Sequence, residues 1–178
     1  PPPPPPPPRD SIRRQRQMCI RDRPGRIAKS MMREKEEAFR RKAGGRIKSF
    51  PGVAELLNAL KKGNFKLGLV SSAPTENIDL ALTELGLTGT FDCIVSGQEV
   101  TESKPSPQIY LLAAEKLRTA PGNCVVIEDS PIGVKAAKTA GMKCVAVTNT
   151  HRRESLLEAD KIVDSLEYLD LITLLMRV

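Results

Sequence analysis

The sequence predicts an α/β protein built as a three-layer, doubly wound parallel sheet of Rossmann-like kind. Three observations carry this. From residue 50 onward, apolar runs of four to six residues alternate with helical stretches of about ten. The runs are apolar throughout rather than at every second position, as in strands covered on both faces. Glycines punctuate the pattern, with Gly63, Gly86 and Gly141 each closing a helical stretch. Such alternation means βαβ units and a parallel sheet.

Each element has its own signal. Residues 53–62 form a helix with Leu56, Leu57 and Leu60 on one face. Residues 66–70 (KLGLV) read as a buried strand that ends at Ser71-Ser72-Ala73-Pro74, and 75–85 as the next helix. A strand at 91–96 (FDCIVS) follows. Ser106 and Pro107 are a favourable cap and first position for a helix to about 117. Then come a strand at 124–128, a helix at 131–140 and a strand at 144–147. A helix at 153–159, a short edge strand at 161–163 and a last helix from about Leu166 complete the pattern.

Upstream, residues 27–43 carry Ile27, Met31, Met32 and Phe39 among alternating charges, an amphipathic helix ended by Gly44-Gly45. Residues 1–23 show neither period. Eight prolines predict an extended polyproline rod and the Arg-rich stretch after them a solvated tail. Functional readings of that leader are a ligand for a proline-recognition domain or a basic arm for nucleic acid. The stretch RRQRQMCIRDR resembles the translated read-through of a sequencing adapter, so the leader is expected to be artefactual.

The charge distribution agrees. The net charge of +7 suggests a polyanion-binding protein. Yet residues 1–50 hold 15 Lys and Arg against 5 Asp and Glu, which leaves 13 against 16 for residues 51–178. The globular part is mildly acidic, so no nucleic-acid partner is expected. Cys19, Cys93, Cys124 and Cys144 lack metal-ligand spacing, and the last three sit in apolar runs as small buried hydrophobes. No run reaches the roughly 18 apolar residues of a membrane span. A soluble, cytoplasmic protein is expected, and a monomer.

Ligands of open parallel sheets bind beyond the carboxyl ends of the strands. Those positions hold Ser71 and Ser72, then Lys104, then Glu128 and Asp129, then Thr148 and Asn149. Hydroxyls, one ammonium and two adjacent carboxylates suit a phosphate together with a divalent cation. Mg²⁺ prefers carboxylate oxygens and takes one or two from protein. Each residue also has a plainer reading: the serines as caps of the next helix, Lys104 as a surface lysine, the acidic pair as helix N-terminal charges. Joint placement at successive strand ends favours the site. His151, the single histidine, is expected at the surface rather than in catalysis.

Residues 46–165 resemble the haloacid dehalogenase superfamily of phosphohydrolases, in its beta-phosphoglucomutase and phosphoglycolate phosphatase-like branch. LGLVSSAP is similar to the second family motif, SKPSPQIY to the third and VVIEDSPIGVKAAKTAGM to the fourth. The resemblance implies Ser71 and Lys104 as catalytic phosphate-contacting residues, with Ser72 beside them. It implies Asp129 as the direct Mg²⁺ ligand, with Glu128 its acidic neighbour, and a small phosphorylated metabolite as substrate. The activity implied is that of a phosphatase acting through an aspartyl-phosphate. A sugar phosphomutase, or a binding module without its nucleophile, are the alternatives.

The resemblance also implies a nucleophilic aspartate and an acid/base aspartate in a DxD motif on a central first strand. No DxD occurs in the 178 residues. Asp10 and Asp22 lie in the leader without an apolar strand before them. The chain is therefore expected to be N-terminally truncated and inactive alone. Residues 24–49 are expected to be the remnant of a helical cap, and residues 50–178 the core. Its Ser71 and Asp129 strands should face a gap, each orphaned backbone group costing about 1–3 kcal/mol.

Overall fold

A computed structural model describes residues 25–169, and the chain divides into two units, Pro1–Arg46 and Ile47–Val178. The expected leader at 1–23 lies outside the described residues. In the first unit, helix α1 (Gly25–Ala43) carries an exposed Arg33–Glu37 pair one turn apart, at 3.2 Å. Gly45, at φ 71°, adopts the left-handed conformation that glycine tolerates best.

The second unit runs α2 (Val53–Lys62), β1 (Gly68–Val70), α3 (Thr75–Glu84), β2 (Cys93–Val95), α4 (Gln108–Lys116), β3 (Val125–Glu128), α5 (Pro131–Thr139), β4 (Lys143–Val147) and β5 (Lys161–Val163). All its ladders are parallel. The expected sheet is in two pieces. β1 pairs with β2, while β3, β4 and β5 form a second sheet in that order, and no ladder joins β1 to β3 among the described residues.

The layers are read most clearly at β4, because successive strand residues point to opposite faces. Cys144 and Ala146 pack with Ile109, Tyr110, Val134 and Ala137 from α4 and α5. Val145 and Val147 pack with Leu56 of α2, Val163 and Leu169. Helices thus cover both faces. Burial pushes the Cys144 thiol up to about 12, helped by the Glu128 charge, so this cysteine behaves as core.

Two predicted helices are shorter than expected. Residues 153–159 contain only a 3₁₀ turn, Arg153–Ser155. Leu156 is fully buried while Leu157 is 71 % exposed, so no helical stripe is realised. The chain instead drops Leu156 into the core and brings Asp160 back to accept from Cys144 N–H at 2.7 Å and from Lys138. The helix from Leu166 begins as a 3₁₀ turn, Leu166–Tyr168, and its remainder beyond Leu169 lies outside the described residues. A smaller correction concerns α4, whose cap position is Pro107 rather than Ser106. Pro107 C=O accepts from the N–H of Tyr110 and Leu111, so it opens the helical ladder itself.

Candidate phosphate and metal site

Strand β3 ends at Glu128, and α5 starts three residues later at Pro131, with Ser130 as its cap. Ser130 Oγ accepts from Gly133 N–H at 3.2 Å and donates to Glu128 Oε2 at 2.9 Å. The N–H groups of Asp129 and Ser130 donate to the same oxygen at 3.0 and 3.1 Å. Glu128 is therefore seated on the positive end of α5. A Cβ at Gly133 would lie 2.0 Å from the Glu128 carboxyl carbon, so only glycine leaves room for this seat.

The other carboxylate oxygen, Oε1, accepts from Tyr110 Oη at 2.6 Å and from the Lys104 ammonium. Both charged side chains are buried, Lys104 at 8 % and Glu128 at 9 % exposure. Lys104 Nζ also lies 4.7 Å from the centroid of the Tyr110 ring. Burial opposes ionisation of Glu128, but the Lys104 charge and hydrogen bonds from Lys104, Tyr110 and Ser130 outweigh it and hold the carboxyl below its ordinary range. Burial, then the Glu128 charge, raises the Tyr110 phenol, which keeps it a donor.

Asp129 has different company. Its Oδ2 accepts from Thr150 Oγ1 at 2.7 Å, and its backbone carbonyl lies 2.9 Å from His151 Nδ1. His151 is exposed. At the end of β1, Ser71 N–H donates to Val95 C=O at 3.0 Å, and Ser71 Oγ accepts from Ala73 N–H at 3.1 Å. Helix α3 has no side-chain cap, so neither Ser71 nor Ser72 serves it in that way. A Cβ at Gly97 would lie 2.5 Å from Ser72 O, so this glycine lets the loop after β2 close on the serine turn. Thr148 bonds to Asp164 Oδ1 at 3.0 Å, beside β5.

The structure thus joins Lys104 directly to Glu128 and sets Asp129 next to them. Val70 and Glu128 line one cavity, and Ser71 and Asp129 are the residues immediately after them. No three His, Cys, Asp or Glu side chains gather into a metal cluster among the described residues. Both Glu128 oxygens are engaged by protein donors, whereas the Asp129 carboxylate accepts from Thr150 on Oδ2. One carboxylate of this kind fits a hard cation that takes the rest of its shell from phosphate and water.

Two supporting residues escaped the sequence reading, Tyr110 and Thr150, while Ser130 and Gly133 stood in the fourth motif without their contacts to Glu128 being foreseen. Ser130 and Gly133 carried a signal, a cap residue followed three positions on by glycine before an apolar helix. Tyr110 looked like one more apolar position of α4, and nothing local marked Thr150.

A split parallel sheet with a buried lysine, a seated carboxylate and a second acid at its strand ends defines a Rossmann-like α/β protein with a strand-end polar site. A profile described as haloacid dehalogenase-like hydrolase matches residues 8–147, and the chain belongs to that family. Validoxylamine A 7'-phosphate phosphatase of Streptomyces hygroscopicus subsp. limoneus is 39 % identical over 115 residues, which are 65 % of this chain and 54 % of that protein. The phosphorylated carbohydrates phosphatase of Thermotoga maritima is 37 % identical over 142 residues, 79 % of this chain and 64 % of that one. The crystal structure of beta-phosphoglucomutase from Clostridium difficile superposes with a TM-score of 0.74 at 31 % identity, covering 84 % of this chain and 66 % of that one. The chain spans about half the length of the first of these relatives.

Proposed function

We propose that the chain is the phosphate- and metal-binding part of a Mg²⁺-dependent phosphoryl-transfer enzyme, a phosphatase of small phosphorylated metabolites. The observation that carries this reading is the buried Lys104–Glu128 pair at a strand end, with Asp129 next in the chain. In this reading Ser71, Ser72 and Lys104 contact phosphate oxygens, Asp129 ligates the cation and Glu128 is its acidic neighbour. A bound cation would supply charge neutralisation for the transferring phosphoryl group. The chain's own residues do the positioning. Tyr110 and Glu128 hold the Lys104 ammonium, Thr150 holds the Asp129 carboxylate, and Gly97 lets the serine turn close.

The names of the two phosphatases support a phosphorylated small-molecule substrate, and that of the superposed mutase supports a sugar phosphomutase as second reading. The 178 residues contain no DxD pair, so this chain alone is proposed to bind without turning over. Helix α1 is read as the remnant of a cap. Calorimetric titration of the purified chain with inorganic phosphate tests the site. Binding should need Mg²⁺ and should be lost in Asp129→Asn and weakened in Ser71→Ala. Mg²⁺-independent binding, or a phosphatase rate abolished by Asp129→Asn, would refute one half of the proposal each.

A further inference from the structure

Residues 148–152 link the end of β4 at Val147 to the 3₁₀ turn Arg153–Ser155, and both ends of this loop are fastened to one carboxylate. Asp164 Oδ1, just past β5, accepts from Thr148 Oγ1 at 3.0 Å and from Arg153 Nη2 at 3.0 Å. Main-chain acceptors add to this. Thr148 N–H donates to Val163 C=O at 3.1 Å, and Arg153 Nη1 to Ile162 C=O at 3.4 Å. Beyond the turn, Leu156 is fully buried in the core.

The middle of the loop meets Asp129. Thr150 Oγ1 lies 2.7 Å from Asp129 Oδ2 and 3.1 Å from the Asp129 carbonyl oxygen. His151 Nδ1 lies 2.9 Å from that carbonyl oxygen and 2.9 Å from Thr150 Oγ1. Counting protons gives each bond its direction. A carbonyl oxygen only accepts, so His151 Nδ1 carries a proton. The Thr150 hydroxyl has one proton to give, and the carboxylate is its stronger acceptor. The Thr150 oxygen then accepts from His151, so donation runs from His151 to Thr150 to Asp129 Oδ2. Among the described residues no protein donor reaches Asp129 Oδ1.

Bonds of this kind add little to stability, because Thr150 and His151 are exposed and water competes for their groups. Their effect is on direction. The side-chain donors to Glu128 are Lys104, Tyr110 and Ser130, none of which bonds to the Asp129 carboxylate. The orientation of that carboxylate is left to the loop.

We propose that loop 148–153 is a brace that presets the Asp129 carboxylate for its cation, with Thr150 and His151 as positioning residues and Asp164 as the fastening. This rests on the reading of Asp129 as the cation ligand. A carboxylate held by one oxygen presents the other to the ion without first losing its rotational freedom. Hydrogen-bond partners behind a metal ligand are commonly worth about 10- to 100-fold in metal affinity.

The test uses the full chain and Mn²⁺ as a paramagnetic substitute for Mg²⁺, with free and bound ion distinguished by electron paramagnetic resonance and folding followed by thermal melts. Binding should be lost in Asp129→Asn. Thr150→Val keeps the side-chain shape and removes the donor, so it should weaken binding by about tenfold or more, and Thr150→Ser should restore it. His151→Ala should weaken binding less, while His151→Asn, whose amide nitrogen replaces the Nδ1 donor, should keep it. Asp164→Ala should weaken binding as well, although Asp164 bonds to neither Thr150 nor His151, because it releases both ends of the loop. Should Thr150→Val melt early, the two His151 variants decide. Unchanged affinity in Thr150→Val and His151→Ala, with loss in Asp129→Asn, would overturn the brace and leave the cation reading standing. A loss in Thr150→Ser as large as that in Thr150→Val would mean packing rather than donation and would equally overturn it. Affinity unchanged by Asp129→Asn would overturn the cation reading and the brace together.

Discussion

β4 and β1 are both apolar runs in parallel ladders, yet they are covered differently. Cys144, Val145 and Ala146 of β4 are fully buried, whereas Gly68 is exposed and Leu69 and Val70 are only half-buried. Among the described residues, β4 has a paired strand on each side and β1 on one. Burial of a strand is thus conferred by its neighbours rather than by its own residues. The two sheets share one apolar core, and a polar bridge also joins them. Tyr110 comes from the helix that packs on β1 and β2 and Lys104 from the loop before it, and their partner Glu128 ends β3.

That bridge is where the comparison breaks most easily. Glu128→Ala leaves the Lys104 charge buried without its partner and should cost about 3–5 kcal/mol in urea unfolding. Amide exchange should quicken more at β1 and β2 than at β4. Next comes the contrast in core strength. Leu156→Ala, at a fully buried position against β4, should cost about 2–5 kcal/mol, while Leu69→Ala in β1 should cost about 1 kcal/mol or less. Comparable values from the two variants would remove the distinction drawn between the sheets.

Smaller effects sharpen it. Ser130→Ala removes the α5 cap and one donor to Glu128, and a thermal melt should register about 1 kcal/mol. Acid acts last. Glu128 has a folded pKa below its unfolded value near 4.3, so its contribution is full above that pH and is lost as pH falls through the lower folded value. The Asp160 carboxyl, also lowered against its burial by Lys138 and the Cys144 N–H, adds in the same sense. Circular dichroism at a fixed urea concentration should stay flat from neutral pH down to about 5 and then fall. A fall beginning above pH 6 would contradict this assignment.

Local signals carried much of the fold. The helix Val53–Lys62 and the strand Lys161–Val163 have the bounds their apolar spacing predicts, because each is decided by its own residues and the turns beside it. The interruption between β1 and β3 is a matter of long-range pairing. No residue within β1 or β3 signals it, because pairing partners lie far along the chain. The 153–159 segment misled for the opposite reason. Its composition suits a helix, but a distant bond from Asp160 to Cys144 overrides local preference. At the site, the strand-end rule found Ser71, Lys104, Glu128 and Asp129. It could not show that Glu128 turns back onto the start of its own helix while Asp129 turns toward Thr150, since side-chain direction depends on partners far along the chain.

The seat of Glu128 has one more consequence. Five protein donors already satisfy this carboxylate: an ammonium, a phenol, a hydroxyl and two main-chain amides. The acidic doublet is therefore not a pair of bare charges waiting for an ion to reconcile them. At neutral pH one member is already neutralised from within, so its seat needs no ion to hold it, and the other, the Asp129 carboxylate, has Thr150 as its side-chain partner.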